Sequence, residues 1–186
     1  MGKVVVTEFA SLDGVFEDPG GASQFEHGGW SFKFNRGEDG DKFKQDELKN
    51  AEAQLLGRVT YEGFAAAWPN MQGDWFDQKM NEMPKYVVST TLECADWNNS
   101  TIIRGDLGEE IGKLKQQVQK DILVAGSGQL VRGLLETDLV DELRLMVFPI
   151  VLGSGRRLFE DSPLTSLQLT EAARAADTAT LVYTRR

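Results

Sequence analysis

Cysteine, histidine and long hydrophobic runs are all scarce in this 186-residue chain, and each scarcity closes off a class of function. A single cysteine, Cys94, cannot form an internal disulfide, which suits a reducing compartment; the expected location is cytoplasmic. "TLECADW" offers that thiol no basic neighbour to lower its pKa, so it reads as inert rather than nucleophilic. One cysteine and one histidine, His27, are too few for a zinc site, and no metal is expected. Positive charge is also in short supply. Twenty Lys and Arg face 29 Asp and Glu, for a net charge of −9, and such a surface argues against nucleic acid or an anionic membrane as partner. A few local cations can still build a positive cleft for a small anionic ligand. No apolar run approaches a membrane span, and "MGKVVVTEFASLDG" is interrupted by polar residues too early for a signal peptide.

What the chain does have is ordinary globular composition, 41% hydrophobic and 26% charged, with no repeat, low-complexity stretch or linker. One domain over residues 1–186 is expected. "KVVVTEFA" is a β-branched run suited to a strand buried on both faces. Strands at "AQLLGR", "KYVVST", "STIIRG" and "DILVAG" alternate with helical segments from Lys42 to about Glu52, in "VTYEGFAAAW", in "MQGDWFDQKMNEM" and in "DLGEEIGKLKQQV". Beyond "LVRGLLE" three strands follow without long helices: "DELRLMVFPIVLG", "SLQLTEAARAA" and "TATLVYTR". This order predicts an α/β fold: a single three-layer αβα domain around a mostly parallel mixed sheet with antiparallel C-terminal strands.

Three stretches share one layout, a strand running into small or hydroxyl-bearing residues. In "ILVAGSGQLVRGLL", Gly126 and Gly128 lack a side chain that would hold a phosphate away, and the following helix aims free N–H groups at the same spot. A plain strand–helix connection explains the same letters. "LLGRVTYEGF" places Gly57, Arg58 and Thr60 likewise; there the alternative is an N-cap threonine and a surface arginine. "VVSTTLE" ends a strand at Ser89, Thr90 and Thr91. In a parallel sheet three such ends converge on one edge, where open α/β folds bind ligands. A second Gly-Ser-Gly, in "FPIVLGSGRRLF", has no helical run behind it and reads as a turn that redirects the chain. Asp13 sits in an Asp-Gly turn dipeptide. Trp30, Phe32 and Phe34 are either core or the lining of a flat heterocycle's pocket.

In that order, "SLDGVF", "LLGRVTYEGF", "KYVVSTTL", "DILVAGSGQLVRGLL" and "VDELRLMVFPIVLGSGRRLF" resemble the dihydrofolate reductase-like family, most closely the branch holding the reductase domain of bacterial riboflavin biosynthesis proteins. The resemblance implies an NAD(P)H-dependent oxidoreductase, similar to 5-amino-6-(5-phosphoribosylamino)uracil reductase or dihydrofolate reductase, with NADPH along the strand ends. It implies that Gly57, Arg58 and Thr60 meet the cofactor phosphates and that Ser89 and Thr90 lie near the adenosine 2′-phosphate. Gly126, Ser127, Gly128, Gln129 and Leu130 would form the glycine turn, and Ala10 with Ser11 would face the nicotinamide. Asp13 is the candidate for orienting a substrate or relaying a proton, and "SLDGVF" with Trp30 would close over a small heterocyclic (pterin- or pyrimidine-like) or carbonyl substrate. Homodimers are common in this branch. Two departures stand out: no carboxylate of "GGWSFKFNRGEDG" matches the acidic residue that dihydrofolate reductases place on the helix after the first loop, and "STTLE" has no adjacent arginine. No zinc-deaminase motif is present. A nucleotide-binding module of the same fold without turnover is the alternative reading.

Overall fold

Three consecutive valines, Val4 to Val6, are fully buried, and they set the plane around which the chain folds. Each such side chain is worth roughly 1.5–3 kcal/mol when removed from water. In the computed structural model, which describes residues 1–71 and 73–186, they open β1 (Val4–Ser11). The strands that follow are β2 (Ala51–Gly57), β3 (Lys85–Val88), β4 (Ser100–Ile103), β5 (Asp121–Ala125), β6 (Glu142–Phe148), β7 (Leu167–Ala175) and β8 (Thr178–Arg185). Helices α1 (Gly37–Asn50), α2 (Arg58–Ala67), α3 (Trp75–Glu82), α4 (Leu107–Gln117) and α5 (Gly128–Glu136) connect them.

The eight strands form one sheet in the order β4-β3-β2-β5-β1-β6-β8-β7. Every pairing from β4 through to β6 is parallel, and β8 with its neighbours β6 and β7 is antiparallel. The fold class expected from the sequence is the one observed. Even-numbered β1 residues Val4 and Val6 pack with Ile111, Leu114, Leu130 and Leu134 of α4 and α5. Val5, on the other face, packs with Leu48 of α1 and Met80 of α3, with Phe64 of α2 alongside. Helices therefore cover both faces, and residues buried on two sides explain the unbroken apolar character of the inner strands.

Three elements differ from the sequence reading by four residues or more, one of them the strand expected over 141–153, which ends as β6 at Phe148. Helix α1 begins at Gly37, five residues before Lys42, and ends at Asn50, so that Ala51 and Glu52 belong to β2. Two glycines in its first turns hide that start, but the Gly37 N–H donates to Asn35 Oδ1, and Glu38 and Asp39 suit the positive end of the helix dipole. The helix expected over 71–83 is α3, shortened to Trp75–Glu82; Gln72 lies outside the described residues. Among the described residues no helix is long and apolar enough to cross a membrane.

Candidate functional site

Because β4, β3, β2, β5 and β1 are adjacent and parallel, their C-terminal ends fall side by side on one edge, spanning roughly 19 Å at ordinary strand spacing. In that order the edge carries Arg104, Ser89 to Thr91, Gly57 to Thr60, Gly126 to Gly128, then Ala10 and Ser11. The residues singled out in the sequence are thus neighbours in space, although they are spread over 121 positions between Ala10 and Leu130 in chain order.

The two central turns are joined. Ser127 takes the left-handed conformation (φ 61°) and its hydroxyl accepts the Gly57 N–H at 2.9 Å while donating to the Ala125 carbonyl at 3.2 Å. This serine fastens one turn to the other, and only its backbone is left to meet a ligand. Helix α5 opens at Gly128 with no side-chain cap, so the N–H groups of Gly128, Gln129 and Leu130 lack intrahelical acceptors. Leu130 itself is core, 7% exposed, and offers a ligand nothing but its N–H. Helix α2 opens the same way after Gly57, again without a side-chain cap; Thr60 is therefore inside the helix and not its N-cap.

The glycines have a different purpose from the one the sequence suggested. Gly126 has φ +58°, and a β-carbon there would come within 2.9 Å of Thr60 Oγ1; at Gly128 it would come within 2.5 Å of Phe16 Cζ. What occupies the missing β-carbon's space is the protein's own Thr60 and Phe16. The starts of α2 and α5 are both without a side-chain cap, and two cations lie near them. Arg58 pairs with Glu62 one turn on, both about half exposed. Arg104, at the end of β4, donates to the carbonyls of Thr90 and Leu92. Sequence adjacency missed Arg104, which these bonds bring beside "STTLE" in space. Ser89 is 8% exposed and its hydroxyl accepts the Thr91 and Leu92 N–H groups, holding the turn, whereas Thr90 is exposed.

At the β1 end two expectations are corrected. Asp13 accepts from the Ser11 hydroxyl at 2.7 Å and from the Leu152 and Gly153 N–H groups at 3.1 and 2.9 Å, with Arg157 at 3.6 Å. These donors, the Ser11 hydroxyl first, hold its pKa at about 2. A carboxylate so firmly ionised and so fully engaged is a clasp, not a proton relay. Ser11 spends its hydroxyl on Asp13 and on the Val15 N–H. Trp30 is fully enclosed, edge-on to Phe148 at 5.3 Å, and its indole N–H donates to the Glu17 carbonyl at 2.8 Å. It supports the loop from within and presents no surface to a substrate.

One residue here escaped the sequence reading altogether. Glu8, 5% exposed in β1, has its pKa raised well above 4.5, chiefly by burial, and its Oε1 has no hydrogen-bond partner among the described residues. A glutamate inside a valine-rich strand was the signal that could have found it. Cys94 is exposed, and the neighbouring Asp96 raises its thiol pKa, which disfavours a nucleophilic role.

A family model described as the RibD C-terminal domain matches residues 2–182, and the chain belongs to that family. It is 28% identical over 184 residues to the uncharacterized protein YwjB of Bacillus subtilis (strain 168), covering 98% of each chain. To the uncharacterized protein YyaP of the same organism it is 28% identical over 163 residues, 86% of this chain and 81% of that one. Its fold matches a putative riboflavin biosynthesis protein from Shewanella sp. PV-4 (TM-score 0.80, 20% identity, 99% of both chains). It also matches dihydrofolate reductase from Enterococcus faecalis complexed with NADP(H) and RAB-propyl (TM-score 0.63, 14% identity, 99% of this chain and 96% of that one).

Proposed function

We propose that this member of the RibD C-terminal domain family is an NADPH-dependent reductase that passes a hydride to a small heterocyclic or carbonyl substrate. The observation that carries the reading is the row of uncapped turns along one sheet edge, with Gly57 and Ser127 fastened together at its centre. The residues fit the group. In this reading the N–H groups opening α2 and α5 hold the diphosphate, with Arg58 released from Glu62 to meet it. Arg104 and Thr90 take the 2′-phosphate, and the β1 end at Ala10 and Ser11 faces the nicotinamide. When bound, the reduced nicotinamide supplies the hydride; the protein supplies orientation and charge. Phe16, lying on Gly128, shields the turn from water.

Titration of NADPH and NADH against tryptophan fluorescence tests the proposal. Saturable quenching, tighter for NADPH, is expected; none with either nucleotide would defeat it. One observation favours a second reading, a binding module without turnover: Asp13 is committed to its clasp, whose donors favour its ionised form. That reading predicts tight NADPH binding and no substrate-dependent loss of reduced-nicotinamide absorbance across a panel of pterins, pyrimidinones and carbonyl compounds.

A further inference from the structure

Helix α1 lays Gly40, Lys44 and Glu47 along β1 and β6, with its N-cap residue Arg36 beside them. Glu47 is 1% exposed, and both its oxygens lie 2.9 Å from the Thr7 hydroxyl. The Lys44 ammonium sits 2.6 Å from Glu47 and donates to the same hydroxyl at 2.6 Å. Thr7 and Glu47 take two of its three protons, and no third acceptor appears among the described residues. The ammonium is also 5.2 Å from the centre of the Phe9 ring, with the Arg36 guanidinium 5.9 Å from that ring. Phe9 immediately precedes Ala10 and Ser11. It packs edge-on to Phe148, which lines a cavity of about 650 Å³ bounded also by Leu12, Phe34, Arg174 and Asp177.

Stability does not explain this cluster, because a buried ion pair is often matched or bettered by apolar side chains of similar size. What the arrangement achieves is to hold a charged ammonium, 17% exposed, in one place beside the strand end. Here Lys44 pairs with Glu47, Arg36 with Asp41 and Lys42 with Asp46, and the groups that lie over the Phe9 ring are the cationic ends of two of these pairs, the Lys44 ammonium and the Arg36 guanidinium. On the reductase reading, we infer that Lys44 is a substrate-recognition residue: its third N–H binds a carbonyl or anionic oxygen of a planar substrate stacked near Phe9, and Thr7 with Glu47 position it. The site therefore discriminates against basic, amino-substituted rings, whose positive edge meets Lys44 and Arg36.

Two probes read this out on the full chain, with and without saturating NADPH. Lumazine presents carbonyl oxygens along its ring edge, and trimethoprim presents a protonated diaminopyrimidine. Wild type should bind lumazine at least about tenfold more tightly than trimethoprim. Lys44→Met should lose about tenfold in lumazine affinity, the size of one charge-assisted hydrogen bond, with NADPH affinity unchanged. Lys44→Arg should keep most of it. Lys44→Met strands a buried carboxylate, so the double variant Lys44→Met/Glu47→Gln, which removes both charges, should show the same loss in a folded protein. Unchanged lumazine affinity in the double variant, a preference for trimethoprim, or no binding of either probe overturns the inference. Loss of NADPH binding in wild type would instead remove the reductase reading, while the probe titrations without cofactor still report on Lys44.

Discussion

Two Gly-Ser-Gly turns follow strands in this protein, and they use the same three letters for opposite ends. At 126–128 the serine fastens a neighbouring turn, a helix begins, and the N–H groups that open it are left for a ligand. At 153–155 carboxylates of the chain itself occupy the equivalent positions. Asp13 accepts from Leu152 and Gly153, Glu26 from the Ser154 hydroxyl, and Glu17 from the Arg156 N–H. The second turn is an anion site already filled from within. It also acts on the first. The Phe16 N–H donates to the Arg156 carbonyl, Val15 bridges to Arg157, and Phe16 lays its ring on Gly128. One turn opens a helix whose first N–H groups are free of side-chain caps, and the other straps down the loop that covers it.

The largest effect should come from Gly126→Ala. The new β-carbon meets Thr60 in a left-handed conformation that by itself costs about 1–2 kcal/mol, so NADPH affinity should fall at least tenfold by fluorescence titration. Gly153→Ala is the matched control, with φ +76° and open space around it; it should cost about 1 kcal/mol in denaturant unfolding and leave NADPH affinity within twofold. Equal losses in the two variants would erase the distinction.

The serines separate next. Ser127→Ala strands the partly buried Gly57 N–H and should cost about 1–3 kcal/mol, whereas Ser154→Ala, losing an exposed bond to Glu26, should stay within about 0.5 kcal/mol. Urea unfolding of both measures the gap. Arg104→Ala should then weaken NADPH about tenfold and NADH hardly at all, a difference of about 1.4 kcal/mol confined to the 2′-phosphate. A parallel loss for both nucleotides would move Arg104 away from that group.

The smallest effect is a matter of pH and belongs to the strap. Asp13 titrates at about 2 when folded and near 3.8 otherwise, so its clasp contributes fully above pH 4 and is lost as pH falls through about 2. Thermal melts should show wild type more stable than Asp13→Asn at neutral pH, with the gap narrowing below pH 4. A gap that widens in acid would contradict the assignment.

Much of this was legible in the sequence, because it rests on local pattern. Val4 to Val6 announced a strand buried on both faces, and the alternation up to β5 announced a parallel sheet whose ends converge. The missing helix behind Gly155 separated the two triplets. What escaped depends on contacts between distant residues. The bond from Gly57 to Ser127 spans 70 positions, and that from Gly153 to Asp13 spans 140. Asp-Gly marked a turn at Asp13 but could not say what its carboxylate would hold. Nothing in "GGWSF" distinguishes an enclosed tryptophan from one lining a pocket. Lys44 and Glu47 have the spacing of an ordinary surface pair on a helix, and only packing against Thr7 buries them.

The contrast between the turns can be read residue by residue from amide chemical shifts of isotope-labelled protein titrated with NADPH. The account predicts saturable shifts at Gly57, Gly126, Ser127 and Gly128, with Gly153, Ser154 and Gly155 moving far less. Shifts centred on 153–155, or none at 126–128 under saturating nucleotide, would contradict it.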